Sequence, residues 1–272
     1  MKKILISGYN GFLGTHLTNS LISKYDVIGL SKKNSKDDRL RHIKKDITKI
    51  TSNDFKDIFC VIHLAAITDP KFCDDFPDQC ILTNVLGTQK MLEAARKNNC
   101  KVIYASTSHV YGIPKKLPIR ETTLTSPTSI YSGSKLAGEI LCESYSKQYD
   151  MDISIVRIFS VYGPGSGNHY VISNIISQLK NSNIIKLGDL KSKRDFIFIS
   201  DVVKAFEIIL NNIQGLNNIQ GLNIYNVGTG TSYSIEKICK IIEKLLGKKI
   251  IIKTNSKQDR KIDPKNIVCD IS

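Results

Sequence analysis

Tyr131-Ser132-Gly133-Ser134-Lys135 sets a phenol and an ammonium four positions apart, at the start of helix-forming sequence. On a helix such positions share one face. An ammonium beside a phenol stabilises the phenolate. It draws the phenol from its ordinary pKa of about 10 towards a range where it can serve as general acid or base. Alone, the pair is the pattern of an ordinary helix-surface contact. Its company gives it chemical meaning. A glycine-rich stretch, Gly8-Tyr9-Asn10-Gly11-Phe12-Leu13-Gly14, lies near the start of the chain, and Ser106-Thr107-Ser108 lies upstream of the tyrosine.

These residues need a frame that brings them together. Short apolar runs alternate with helical patterns through the first half. Lys3–Ser7, Asp26–Leu30, Phe59–Ala65, Lys101–Ser106 and Ile153–Phe159 read as strands; Thr15–Lys24, Thr83–Asn98 and Ser132–Tyr149 read as helices. Near-continuous apolar strands joined by helices predict a parallel sheet covered on both faces. The expected fold class is therefore α/β, a doubly wound parallel sheet, with ligands outside the carboxyl ends of the strands. Past residue 160 the rhythm loosens. The turn-rich Tyr162–Gly167 leads to a helix near Ile172–Lys180, and another helix runs from after Ser234 through Leu246. The expected division is a dinucleotide domain over 1–160 and a small C-terminal substrate-binding lobe over 161–272, with segments returning to the first domain. A six-residue duplication, Asn211–Leu216 repeated as Asn217–Leu222, fits no repeat fold and reads as a tolerated loop insertion.

The glycine stretch joins the first strand to the first helix. Glycines there permit a tight turn and close approach of a pyrophosphate, and the helix N-terminus adds free N–H groups. Its spacing, G-x-x-G-x-x-G, departs from the usual dinucleotide fingerprint. An NAD site places an acid at the end of the second strand for the ribose hydroxyls. Here Ser31-Lys32-Lys33 offers two cations instead, which suits a 2′-phosphate. The cofactor expectation is NAD or NADP, leaning to NADP.

Composition narrows the function. The chain has 272 residues, 41% of them hydrophobic and 24% charged, and no apolar run long enough to span a bilayer. The start resembles a signal peptide only as far as Ser7-Gly8, where turn residues follow. Seven scattered cysteines, without a Cys-x-x-Cys pair, suit a reduced cytoplasmic setting. The net charge of +14 comes from dispersed lysines with no basic segment interleaved with aromatics. That pattern argues against nucleic acid and leaves a solvated surface, or a basic cleft for a phosphorylated small molecule. No residues have metal-ligand spacing.

Taken in order, Gly8–Gly14, Asp46-Ile47, His63–Ala66, Asn84–Thr88, Ser106–Gly112, Tyr131–Lys135, Arg157–Pro164, Arg194-Asp195-Phe196 with Asp201, and Asn226-Val227-Gly228 resemble the extended short-chain dehydrogenases/reductases of the nucleotide-sugar epimerase/dehydratase group. The resemblance runs from Met1 almost to Ser272, and relatives continue into a further helix. It implies a Rossmann fold and catalytic roles for Thr107, Tyr131 and Lys135. It implies cofactor contacts from Gly8, Asn10, Gly11, Phe12, Leu13, Gly14, Ser31, Lys32, Lys33, Asp46, Ile47, Leu64, Ala65, Ala66, Asn84, Ser106, Tyr131 and Lys135. Substrate contacts are implied for Thr68, Thr107, Ser108, His109, Ser160, Arg194 and Arg260, the two arginines gripping a diphosphate with forked guanidinium groups. His63 follows the core pattern, while His109 and His169 are candidates for the sugar pocket.

Departures from the group's pattern narrow the reaction. Family dehydratases carry Asp-Glu after the catalytic Thr; here Ser108-His109 follow Thr107, which argues against 4,6-dehydration. Ser160 stands where epimerases usually have Asn. The stretch Ala65–Asp74 resembles a loop of 4-keto-sugar reductases. The expected function is an NAD(P)-dependent nucleotide-sugar epimerase working by transient oxidation of a sugar hydroxyl. An NADPH-dependent reductase of a nucleotide 4-keto-6-deoxysugar is the alternative, and a non-catalytic dinucleotide sensor is a third reading. A homodimer through the helices near Thr83–Asn98 and Ser132–Tyr149 is a further implication of the resemblance.

Overall fold

The computed structural model describes residues 1–33, 37–214, 221–254 and 264–272. The first strands are β1 (Lys3–Ser7), β2 (Asp26–Ser31), β3 (Arg41–Lys44), β4 (Cys60–His63), β5 (Lys101–Thr107) and β6 (Ile153–Ile158). Three strands of the lobe follow: β7 (Ser160–Tyr162), β8 (Ile184–Leu187) and β9 (Lys193–Phe198). β10 (Leu222–Val227) then returns to the main sheet. The order is β10-β6-β5-β4-β1-β2-β3, and every pairing is parallel. The chain runs outward from β1 on one side and restarts with β4 on the other, so a crevice opens at the carboxyl ends of β1 and β4.

The apolar runs are continuous because both faces are buried. Leu5, Val61, Val102, Ile153 and Ile155 point to one core; their neighbours Ile4, Ile6, Ile62, Ile103 and Val156 point to the other. The first core is closed by α4 (Gly87–Lys97) and α5 (Ile130–Tyr149), the second by α1 (Phe12–Leu21) and α7 (Ile199–Gln214). The short α2 (Pro70–Asp75) and α3 (Pro77–Ile81) cover Tyr131. A separate small core around Ile175, Ile185, Leu187, Ile235 and Cys239 unites α6 (Val171–Leu179), β8, α8 (Ile235–Leu246) and β12 (Ile251–Thr254). Beside it β11 (Ser232–Ser234), β9 and β13 (Asn266–Ile267) form a further sheet, with β7 on β9. Residues 215–220 of the duplicated stretch lie outside the described residues. Among the described residues no helix is long and apolar enough to cross a membrane.

Element ends shift by a residue or more in several places, and two of the shifts have clear local reasons. α1 begins at Phe12, inside the glycine stretch, because Gly11 is its N-cap and its carbonyl accepts from Thr15 N (2.9 Å) and Thr15 Oγ1 (2.8 Å). No side-chain cap announces that start. The expected Thr83–Asn98 helix opens instead with a π turn over Leu82–Leu86. The extra residue turns Asn84 inward, where such turns often serve a site.

His63 sits wholly buried at the end of β4. Its Nδ1 lies 2.7 Å from Ser7 Oγ and its Nε2 lies 3.0 Å from Thr88 Oγ1. Burial, with the nearby Lys135 charge, brings the imidazole down to about 3. The unfolded chain therefore takes up a proton near pH 6.5 that the folded chain refuses until about 3. The stability from this group is complete above pH 6.5 and is lost as pH falls through that window. Urea unfolding should show a decline approaching ~1.4 kcal/mol per pH unit between pH 6 and 5. A folded His63→Gln variant should lose most of that slope; an unchanged slope would count against the burial argument.

Candidate active site

The carboxyl ends of the main sheet and the underside of the lobe enclose a cleft of about 1070 Å³, at the upper end of ligand-site sizes. One end is the glycine turn. Gly8 adopts φ +71°, and an added Cβ would lie 2.9 Å from Ala65 N. A Cβ on Gly14 would meet Gly8 O at 2.2 Å and Tyr9 C at 2.7 Å, so the turn and α1 touch backbone to backbone. This cradle fits a pyrophosphate: it brings the α1 N-terminus against the cleft without side chains in between. Gly14→Ala should displace the turn, costing about 1–3 kcal/mol of stability and weakening dinucleotide binding at least ~10-fold. Thermal melts and titration calorimetry with NAD measure both effects.

The turn is tied to its neighbours. Asn10 Nδ2 donates to Ser31 Oγ (3.1 Å), whose hydroxyl donates to Lys33 O (2.9 Å). Ser7 Oγ accepts from Leu64 N and Ala65 N, both at 3.2 Å, fixing the loop after β4. Asn84 is fully buried and outside the cleft wall. It holds Ile67 through both backbone groups, accepting at 2.8 Å and donating at 3.0 Å, and donates to Ser134 Oγ at 2.9 Å. Lys32 and Lys33 line the cleft, but the Lys32 ammonium is paired with Asp46 at 2.8 Å. Burial pushes the Asp46 carboxyl up; hydrogen bonds from Lys32 and Thr48 outweigh it, and the net shift is down. The two-cation reading of Ser31-Lys32-Lys33 missed this carboxylate.

At the other wall, Thr107 ends β5, and Tyr131 and Lys135 occupy successive turns of α5. α5 starts where Ser129 and Ser132 cap each other, Ser132 N donating to Ser129 Oγ (3.2 Å) and Ser129 N to Ser132 Oγ (3.1 Å). Tyr131 packs against Ile67, Cys73 and Cys80. Burial raises its phenol well above the ordinary range, the Tyr170 phenol adds to the rise, and a hydrogen bond with Thr107 opposes it. The lowered phenol expected from the Tyr-Lys spacing is thus overridden in this chain by burial. The Lys135 ammonium lies 4.1 Å from the centre of the Tyr104 ring, and burial brings it down to about 8. His109 stands edge-on to Tyr131, ring centres 6.4 Å apart.

Of the residues singled out from the sequence, Gly8, Asn10, Gly11, Phe12, Leu13, Gly14, Ser31, Lys32, Lys33, Ile47, Leu64, Ala65, Ala66, Thr68, Ser106, Thr107, His109, Tyr131, Lys135, Ser160 and Arg194 share this cleft, with His169. Asp46 and Ser108 stand outside its lining, Ser108 being buried in the turn after β5. Arg260 lies outside the described residues. Arg194, on β9, donates to the carbonyls of Lys193 and Pro264, both at 2.8 Å. From the lobe, sequence reasoning named His169 and Arg194 for this cleft but missed Tyr170, Asp189 and Lys265. Tyr170 packs on Phe12 of the glycine turn, ring centres 5.7 Å apart. Its position after a glycine-rich turn, at a helix start, was the available signal.

Comparisons agree with this geometry. The chain matches the family described as NAD dependent epimerase/dehydratase over residues 4–228. It is 32% identical to an uncharacterized UDP-glucose epimerase of Bacillus subtilis, covering 99% of this chain and 90% of the relative. It is 30% identical to the UDP-glucose 4-epimerase of Mycolicibacterium smegmatis, covering 90% and 83%. Among solved structures, the UDP-glucuronic acid 4-epimerase of Bacillus cereus, bound to UDP-glucuronic acid and NAD, superposes with a TM-score of 0.89 at 31% identity, covering 99% of this chain and 90% of that one. With the crevice, the glycine cradle and the Thr-Tyr-Lys wall in family order, the chain belongs to the NAD dependent epimerase/dehydratase family.

Proposed function

We propose that the protein is a UDP-sugar 4-epimerase with NAD as its bound cofactor. The observation that carries this reading is the convergence of Thr107, Tyr131 and Lys135 on one wall of a cleft whose far end is the phosphate turn. When bound, the nicotinamide supplies reversible hydride acceptance. The turn Gly8–Gly14 holds the pyrophosphate, and Leu64–Ala66 line its path. Thr107 Oγ1 hydrogen-bonds the reacting sugar oxygen. Tyr131 Oη takes that hydroxyl's proton and returns it after the sugar has turned over. The Lys135 ammonium stabilises the phenolate and holds the nicotinamide ribose. Arg194 binds the substrate diphosphate from the lobe. Exposed Ile81, Leu82, Leu86 and Ile140 on the α3–α5 face support pairing of two copies there.

NAD is preferred over NADP because Asp46 neutralises Lys32 and would repel a 2′-phosphate. Calorimetric binding should favour NAD by at least ~10-fold; tighter NADP binding would reverse the assignment. The function itself is tested by incubating the protein with UDP-glucose, UDP-galactose and UDP-glucuronate and a sub-stoichiometric amount of NAD. Nuclear magnetic resonance should show interconversion of 4-epimers without accumulation of reduced nicotinamide. In a parallel incubation of a nucleotide 4-keto-6-deoxysugar with NADPH, net oxidation of the cofactor, with no epimer formed from the UDP-sugars, would establish a reductase instead.

A further inference from the structure

Tyr131, Lys135 and Glu139 recur every fourth residue along α5 and so share one helix face. The first two reach the cleft. Glu139 is 4% exposed and points beneath it, into a closed polar knot. Ser106 Oγ donates a hydrogen bond to Glu139 Oε1. Arg157, on β6 and 5% exposed, donates Nε to both carboxylate oxygens at 3.1 Å and Nη2 to Oε2 at 2.6 Å. Its remaining nitrogen, Nη1, donates to Tyr111 Oη (2.8 Å) and to Glu121 O (3.0 Å), and Tyr111 Oη donates to Asn226 Oδ1 (2.8 Å). A buried ion pair offers little stability over an apolar replacement of equal volume. This one stands directly below the proton-transfer residues.

We propose that Glu139 is a positioning residue for the proton transfer: its carboxylate clamps the end of β5 to α5 and places a negative charge one helical turn from Lys135. The first role follows from connectivity. Ser106 is the residue before Thr107, so the Ser106–Glu139 bond fixes Thr107 relative to Tyr131 and Lys135. The second follows from the surroundings of Lys135. It faces Tyr104 on β5, His63 on β4, Cys80 on α3, and Tyr131, Cys142 and Glu139 on its own helix. Burial is the largest influence and opposes the charge; Cys142 and then Glu139 favour it, and because burial keeps the Cys142 thiol protonated, Glu139 is the one of the two that is an anion at neutral pH. The clamp role rests on the proton-transfer reading above; the charge role stands on the chain alone.

The experiment therefore includes a measurement made without substrate. Protein carrying 13Cε-lysine is titrated by nuclear magnetic resonance, and Lys135→Arg identifies the Lys135 signal. In the wild type that signal should titrate near 8. In Glu139→Gln it should titrate at least about one pH unit lower, and the alkaline limb of kcat should move with it. Ser106→Ala keeps the charge and removes the clamp: the midpoint should stay in place while kcat falls about 10-fold with KM nearly unchanged. A folded Glu139→Gln with an unmoved Lys135 midpoint overturns the charge role. Should Glu139→Gln fail to fold, Glu139→Asp decides with Ser106→Ala: full kcat in both overturns the clamp. Tyr131→Phe serves as the separate control, because full activity in that variant sinks the proton-transfer reading and leaves the Lys135 titration standing.

Discussion

Tyr131→Phe should lower kcat by about 10²–10⁴-fold, the usual contribution of a positioned acid/base, with KM for the nucleotide sugar changed only a few-fold. The ring of Tyr131 packs with Ile67, Cys73 and Cys80, and phenylalanine preserves that packing. What goes is one hydroxyl, the group that faces Thr107 across the cleft wall. Loss of an interaction made only at the reacting stage lowers kcat and kcat/KM together. The pH profile adds a second signature. Burial favours the neutral phenol, so Tyr131 depends on cationic help to act as a base. In the proposed mechanism that help comes from Lys135, whose ammonium burial brings down to about 8. Wild-type kcat should therefore fall as pH rises through 8, when the ammonium is lost. In Tyr131→Phe the residual rate should be nearly flat over the same range. A variant with more than about a tenth of wild-type kcat would remove Tyr131 from proton transfer.

The sheet was legible in the sequence because it is buried twice. Ile4, Leu5 and Ile6 alternate between two cores, and only a strand covered on both faces needs an apolar residue at every position. The glycine turn and the Tyr-Lys pair were legible through their company: the turn by its place between the first strand and first helix, the pair by Ser106-Thr107-Ser108 upstream of it. Other features depend on contacts far away in the chain. The π turn over Leu82–Leu86 exists because Asn84 must reach Ile67 and Ser134, and neither is visible in the helical pattern. The polar edge strand Arg41–Lys44 has no apolar run to betray it. Lys32 read as a cation for a phosphate until folding placed Asp46 beside it. The lobe is built from strands of two to six residues that pair across long separations, β8 with β12 and β9 with β13. Asp189, just after β8, and Lys265, just before β13, reach the cleft beside those pairings, and Tyr170 reaches it from the start of α6. One buried feature did leave a trace. Arg157 interrupts the apolar run Ile153–Ile158, and a guanidinium in a central strand demands a carboxylate.

Arg157→Met should be the most destabilising of the substitutions considered, at about 3–5 kcal/mol, because it strands a buried carboxylate. Glu139 would keep only the Ser106 hydroxyl, and Tyr111 and the Glu121 carbonyl would each lose a donor. Methionine fills much of the space, so packing loss is secondary to the unpaired charge. Urea midpoints at pH 7 measure the effect, and the sign can be checked by removing the other half of the pair. Adding Glu139→Leu to Arg157→Met eliminates the stranded charge and should recover most of the lost stability. Recovery of stability would not bring back activity. The double variant still lacks the bond that fixes Ser106, and with it the placement of Thr107 against Tyr131. It also lacks the charge beside Lys135. A stable double variant with a low kcat separates what the ion pair does for the site from what it does for the fold. A stable double variant with wild-type kcat would assign Arg157 and Glu139 to packing alone.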